Sequence, residues 1–230
     1  MPSDLQSIAD PRLILLAWAA GLALVGGVTT WSRIVGPGYT WLVSGTSALV
    51  GLAGAFADGA WWARLGMVLL AVALVAGRRP AVAAPSLLAA GIALLVEAVM
   101  LGGSVPATVA AVTLGGVTGE MMLAHWYLVD PRLPRAALRN LAWVGIGGLV
   151  AEAALQLWLG IGFTGGAIGF WVLLVTSVTL MVGVIGALRY PAYSGVMAAT
   201  GLSYLALLTT LGAVFVGRAL VAGLGPFELG

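Results

Sequence analysis

Two residue types are missing from this chain altogether, and each absence closes a line of chemistry. Without cysteine there is no disulfide, no iron–sulfur cluster, no thiolate metal site and no cysteine nucleophile. Without lysine, all ten basic residues are arginine, and a covalent retinal Schiff base, which needs a lysine amine, cannot form. The one histidine, His125, excludes a bis-histidine haem within a single chain and a histidine-rich catalytic zinc site, leaving only a carboxylate-rich metal site open. Charge is scarce as well, at 8% of 230 residues. An ordinary soluble domain carries about 25%, so there is too little polar side chain to coat a water-facing surface. With 61% hydrophobic residues and a mean hydropathy of +1.10, a soluble enzyme, a nucleic-acid binder and a disordered tail are excluded. The net charge of +2 contains no basic stripe. The solvent of this chain is a lipid bilayer.

What is present is a series of apolar runs. A hydrocarbon core about 30 Å thick needs roughly 20 apolar residues per helix. Runs that fit lie near 12–31, 41–58, 61–78, 84–103, 106–128, 139–160, 166–188 and 195–220, within one integral membrane domain covering 1–230. Turn and polar signals separate them: Gly36-Pro37-Gly38, Asp58-Gly59, Arg78-Arg79-Pro80, Gly102-Gly103-Ser104, Asp130-Pro131, Gly165-Gly166 and Arg189-Tyr190-Pro191. The pattern reads as an all-α, polytopic transmembrane helix bundle of about eight spans. It becomes seven if the stretch around Asp58 is re-entrant or broken.

The arginines give an orientation. Loops after the odd-numbered spans hold Arg33, Arg78, Arg79, Arg132, Arg135, Arg139 and Arg189, while the other side holds Arg12, Arg64 and Arg218. The positive-inside rule then places both termini outside, in the cytoplasmic (inner) membrane of a bacterium. Asp4, Asp10, Asp58 and Glu228 gather on the outer side. The start of the chain lacks a basic n-region and a small-x-small cleavage site, so 12–31 is expected to be a retained span rather than a signal peptide. Trp31, Trp41, Trp61, Trp62, Trp126 and Tyr190 fall near span ends, as interfacial anchors do, and the 34 glycines suit close helix packing.

Three acids remain that topology does not explain. Glu97, Glu120 and Glu152 lie inside spans four, five and six, at roughly 15–20 Å from the cytoplasmic ends at 1.5 Å per residue. One ionised acid at the bilayer centre costs about 2.5–3.5 kcal/mol, so all three are expected to face inward. A small residue precedes each by four positions (Ala93, Gly116 and Gly148), and Gln156 follows Glu152 on the same face. Carboxyls gathered in a low dielectric form a group that takes up and releases protons. Glu97, Glu120, Glu152 and Gln156 are therefore the candidate proton, ion or ligand site. The bland alternative is that each acid hydrogen-bonds across a helix pair as glue.

A second cluster ends span five: His125, Trp126, Tyr127 and Asp130, followed by Arg132 and Arg135. It combines an imidazole, an indole, a phenol and a carboxylate at one interface, which are groups that could dock a quinone headgroup. His125 lies five residues past Glu120, about 140° around the helix, so the two do not share a face. Most hydroxyls of spans seven and eight, which include Ser177, Ser203, Thr209 and Thr210, are expected to bond the carbonyl one turn earlier. No Gly-x-Ser-x-Gly elbow, P-loop or His-Glu-x-x-His motif is present, so nothing marks the isolated chain as an enzyme.

Three functions fit these residues. The first is a proton-coupled transporter or a proton- or cation-conducting carrier that uses the glutamate cluster. The second is a quinone-binding or proton-conducting membrane subunit of a respiratory or redox complex. The third is a non-catalytic membrane assembly subunit. The bilayer is the expected partner, with a small solute, proton or quinone as ligand; homo-oligomerisation and membrane-complex subunits stay open.

Overall fold

The helices begin where the backbone is already constrained for them. Pro11, Pro37 and Pro80 each occupy the first turn, where a missing N–H costs nothing and the fixed φ favours the helix. Asp10 caps the first of them, accepting the Arg12 N–H at 2.8 Å and pairing with its guanidinium at 2.8 Å. Burial acts to raise the Asp10 pKa, but the hydrogen bonds and charge of Arg12 outweigh it and hold the carboxyl below its ordinary value.

The computed structural model describes residues 7–56, 59–130, 133–163 and 165–223. Among these residues there are eight long helices and no strand: α1 Pro11–Trp31, α2 Pro37–Ala55, α3 Trp61–Val75, α4 Pro80–Gly102, α5 Ser104–Val129, α6 Arg135–Trp158, α7 Ile168–Arg189 and α8 Tyr193–Val221. A short 3₁₀ turn, Gly165–Ala167, precedes α7. Asp4, Asp58, Arg132 and Glu228, which the topology argument used, lie outside the described residues.

Six of the eight are long and apolar enough to cross a membrane: α1, α4, α5, α6, α8, and α7 together with its 3₁₀ turn. This is the architecture of a multi-pass integral membrane protein. The runs expected as spans two and three do not join the six, for different reasons. α2 has 19 residues but spends them on Tyr39, Thr40, Ser44, Thr46 and Ser47. α3 is apolar but has only 15 residues, a rise of about 22 Å. They form an antiparallel hairpin, with Gly51 against Met67 at one end and Trp41 against Gly77 at the other.

Successive helices run up and down. α1–α4 form one ring of neighbours and α5–α8 a second, joined chiefly where α1 and α5 run parallel. At that junction Gly21 and Gly115 meet backbone to backbone: a Cβ built on Gly21 falls 1.9 Å from the Ala111 carbonyl oxygen. In lipid, helices associate through such close approach rather than through hydrophobic expulsion from water. α5 is consequently buried along most of its length, touching α1 through Gly115 and Gly119 and α6 through Gly116. Gly103, at φ +88, makes the abrupt reversal from α4 into α5 that a residue with a side chain would resist.

The alternation gives the bundle two ends. One carries the start of α1 and the end of α8 and is called the terminal face. The other carries Arg33, Arg78, Arg79, Arg135, Arg139 and Arg189 and is called the arginine-rich face. There Arg78 stacks over Trp41 at 5.7 Å. Arg135 reaches from the first turn of α6 to the carbonyls of Tyr190, Pro191 and Ala192, placing a cation at the C-terminal end of α7.

Candidate functional site

The three inward glutamates have three different surroundings. Glu97, in the last turns of α4, is 8% exposed and accepts the backbone N–H groups of Trp62 and Ala63 at 3.1 and 3.3 Å. These belong to the start of α3, whose own N-cap, Ala60, offers no side-chain bond. Glu97 is thus a cap supplied by a neighbouring helix, with its negative end on the positive end of the α3 dipole.

Glu152 belongs to a buried knot. Its Oε2 accepts from Arg218 Nη2 of α8 at 3.0 Å, and its Oε1 accepts from Gln156 Nε2 at 2.8 Å. The same Arg218 nitrogen also donates to the Pro106 carbonyl of α5 at 3.2 Å. Both charged side chains are fully buried. Gly217 leaves the space for this: a Cβ there would meet Gln156 Nε2 at 2.8 Å and Phe170 at 3.0 Å. Arg218, expected among the outer-side arginines that mark topology, is instead an interior cation three residues before the end of α8. Among the arginines credited to the outer side, only Arg12 and Arg64 remain.

Glu120 is the isolated one. It is fully buried in α5, and neither carboxyl oxygen has a hydrogen-bond partner. Ser203 of α8 approaches it, yet gives its own hydrogen bond to the Ala199 carbonyl at 2.8 Å.

The expectation of one shared depth does not survive these contacts. Across the α5–α6 pair, Gly148 abuts Thr113 and Gly145 abuts Gly116. Glu152 therefore lies level with about residue 109 of α5, about 11 residues or ~16 Å from Glu120. The physical reason is helix extent. α4 and α6 begin at Pro80 and Arg135, about a turn before the apolar runs at 84 and 139, because proline and arginine are acceptable in a first turn. Counting from the true starts moves Glu97 and Glu152 toward the terminal face and leaves Glu120 nearest the middle. Glu152 and Gln156 do come together, and Glu97 is engaged elsewhere.

The interface cluster fans apart at about 100° per residue. His125 is exposed and its Nδ1 pairs with the Tyr204 hydroxyl of α8 at 3.1 Å. Trp126 turns to α2, edge-on to Tyr39 with ring centres 6.5 Å apart. Tyr127 is fully buried, its hydroxyl donating to the Pro134 carbonyl and pinning the α5–α6 connection. Asp130 is the C-cap of α5 and exposed. No single docking face includes all four.

Three surface clefts of about 410, 290 and 210 Å³ are lined respectively by Trp61, Trp62 and Leu65; by Trp31, Arg33 and Pro80; and by Leu24, Leu95 and Val144 with their neighbours. None of them includes a glutamate. Among the described residues no group of three or more histidine, aspartate or glutamate side chains could hold a metal ion. Comparisons with protein-family models, with curated proteins and with solved structures give no match.

Two buried polar side chains of the interior were not among the candidate site residues. Arg218 was counted with the outer-side arginines although it lies within the apolar run 195–220, and that position was the available signal. Thr210 is an exception to the backbone bonding expected for most of these hydroxyls, since its Oγ1 has no hydrogen-bond partner.

Proposed function

We propose that the protein is a proton carrier of the membrane, conducting protons or coupling them to a solute, with Glu120 as the proton-binding group. The observation that carries this is the setting of Glu120: fully buried, near the middle of a 26-residue helix, with both oxygens unbonded. Acids at such depth are rare and costly and mark proton or ion pathways by default. Interhelical glue is the weaker account, because the one neighbouring hydroxyl, Ser203, already gives its hydrogen to the Ala199 carbonyl.

The neighbourhood supports the reading. At the arginine-rich end of the same α5–α8 contact, His125 and Tyr204 form a hydrogen-bonded pair, and Tyr204 adjoins Ser203 in sequence. At the terminal end, the Glu152–Arg218–Gln156 knot supplies a second carboxylate. The arginine-rich face is toward the cytoplasm in this reading, following the positive-inside rule. The quinone reading has less support, since His125, Trp126, Tyr127 and Asp130 point in different directions.

The test is proton flux into liposomes carrying the purified protein and an enclosed pH dye. Glu120→Gln keeps size and hydrogen-bonding capacity but cannot exchange a proton, and flux is expected to fall to that of empty vesicles. Glu97→Gln, which retains an oxygen for the α3 cap, should conduct as the parent does. Parental flux in Glu120→Gln overturns the proposal, and a parent protein without flux that co-purifies with fixed subunits returns the assembly reading.

A further inference from the structure

Most hydroxyls inside this bundle return to the carbonyl one turn earlier: Thr29 to Val25, Thr113 to Val109, Thr200 to Val196, Ser203 to Ala199 and Thr209 to Leu205. Thr210 breaks the habit, being fully buried and unbonded. It is not alone. Among the described residues of the α5–α8 half, the buried side-chain atoms without a partner are Thr210 Oγ1, Arg218 Nε and Nη1, Gln156 Oε1 and both oxygens of Glu120. A buried polar atom left unpaired costs about 1–3 kcal/mol. Six of them together would cancel the 5–15 kcal/mol that stabilises a typical domain.

Their chemistry is complementary. Arg218 offers only donors, a glutamine Oε1 and a carboxylate accept, and a threonine hydroxyl does both. A ligand that meets all of them must donate and accept at different points, and water is the small molecule that does so.

The spacing fits a file. Along α8, Ser203 beside Glu120, Thr210 and Arg218 are separated by seven and eight residues, ~10 and ~12 Å of rise. Helical side chains lean toward their own N-terminus. Glu120 on α5 therefore leans toward the terminal face, and Thr210 and Arg218 on antiparallel α8 lean back toward Glu120. The first gap is narrowed from both sides, and the second by the length of the Arg218 side chain.

We infer that the core between α5, α6 and α8 holds a file of internal water running from Glu120 past Thr210 to the Glu152–Arg218–Gln156 knot, and that Thr210 is the relay at its middle. This rests on the proton-carrier reading and names the path its proton takes. At Thr210 the step balances: the hydroxyl oxygen gains a proton from the water on one side as its own O–H bond breaks toward the water on the other. One proton moves on and no electron is transferred.

Thr210→Val has nearly the same shape but no hydroxyl. In the liposome assay it is expected to lower proton flux by about tenfold or more, with Thr210→Ser restoring it. The infrared O–H stretching bands that shift on exchange into ¹⁸O water should change in Thr210→Val and return in Thr210→Ser. Unchanged flux and unchanged ¹⁸O-sensitive bands in Thr210→Val overturn the file. If Glu120→Gln blocks flux and Thr210→Val does not, the file falls while the carrier reading stands. If Glu120→Gln conducts but the ¹⁸O-sensitive bands respond to Thr210→Val, the water stands and the carrier reading falls.

Discussion

Arg218→Met destabilises the protein by about 3–5 kcal/mol, and Glu152→Leu by at least as much, the usual cost of leaving one member of a buried ion pair alone. The two are not equivalent. A stranded carboxyl can escape its charge by binding a proton, whereas a guanidinium cannot release one. The glutamate deletion should therefore be the more severe. Combining them removes both charges, and Glu152→Leu/Arg218→Met should recover to within about 1 kcal/mol of the parent, because apolar replacements of whole pairs are often neutral or better. Equilibrium unfolding in bicelles measures all three variants. The strong non-additivity is the diagnostic result. If each single change costs only about 0.6 kcal/mol, the average of a neutral interhelical hydrogen bond in a membrane, the pair is not acting as charges. Because Arg218 also holds the Pro106 carbonyl, its loss should loosen the contact of α8 with the start of α5 as well.

The second large effect sits at the junction of the two rings. A Cβ on Gly115 would lie 2.4 Å from the carbonyl carbon of Gly21, and one on Gly21 would lie 1.9 Å from the Ala111 oxygen. These obstacles are backbone atoms, so no side chain can rotate away. Gly115→Ala and Gly21→Ala should each cost about 1–3 kcal/mol, and Gly115→Leu should abolish the folded state. Gly147→Ala and Gly186→Ala are the controls, since an added Cβ there meets nothing within 4 Å. At these sites alanine's better helix propensity should leave stability unchanged or raise it by up to about 1 kcal/mol. Equal losses at Gly147 and Gly115 would mean that glycine acts here through the backbone alone and not through the crossing.

These two sites show how unevenly the sequence displayed its structure. The helices were legible because a bilayer demands long apolar runs, and proline or glycine breaks between runs are strong punctuation. Their starts were less so, since an apolar run is shorter than the helix that carries it, as Arg135 in the first turn of α6 illustrates. That one-turn difference was enough to place Glu97, Glu120 and Glu152 at a common level they do not share. The inward direction of the acids was legible from the cost of exposing them to lipid. Their partners were not, because a partner across a bundle leaves no trace in local spacing: Arg218 lies 66 residues from Glu152, and the N–H groups of Trp62 and Ala63 that hold Glu97 belong to backbone. Tyr127 stood by position in the interface cluster offered to a quinone, and only packing shows its hydroxyl turned inward to Pro134.

Glu97 holds the start of α3 against α4, and that fixes a helix of about 22 Å beside a hydrocarbon layer of about 30 Å. Trp61 and Trp62, 75% and 43% exposed at its first turn, are the residue type that sits at the headgroup level. If α3 meets lipid along its length, the lipids on this one flank compress to match, while those beside α5 and α8 need not. The protein would then carry a lopsided dimple in its annulus, drawing short-chain lipids to the α3 side. Partitioning between thin and thick bilayers should favour the thin one, and indifference to thickness would show that α3 does not meet lipid along its length.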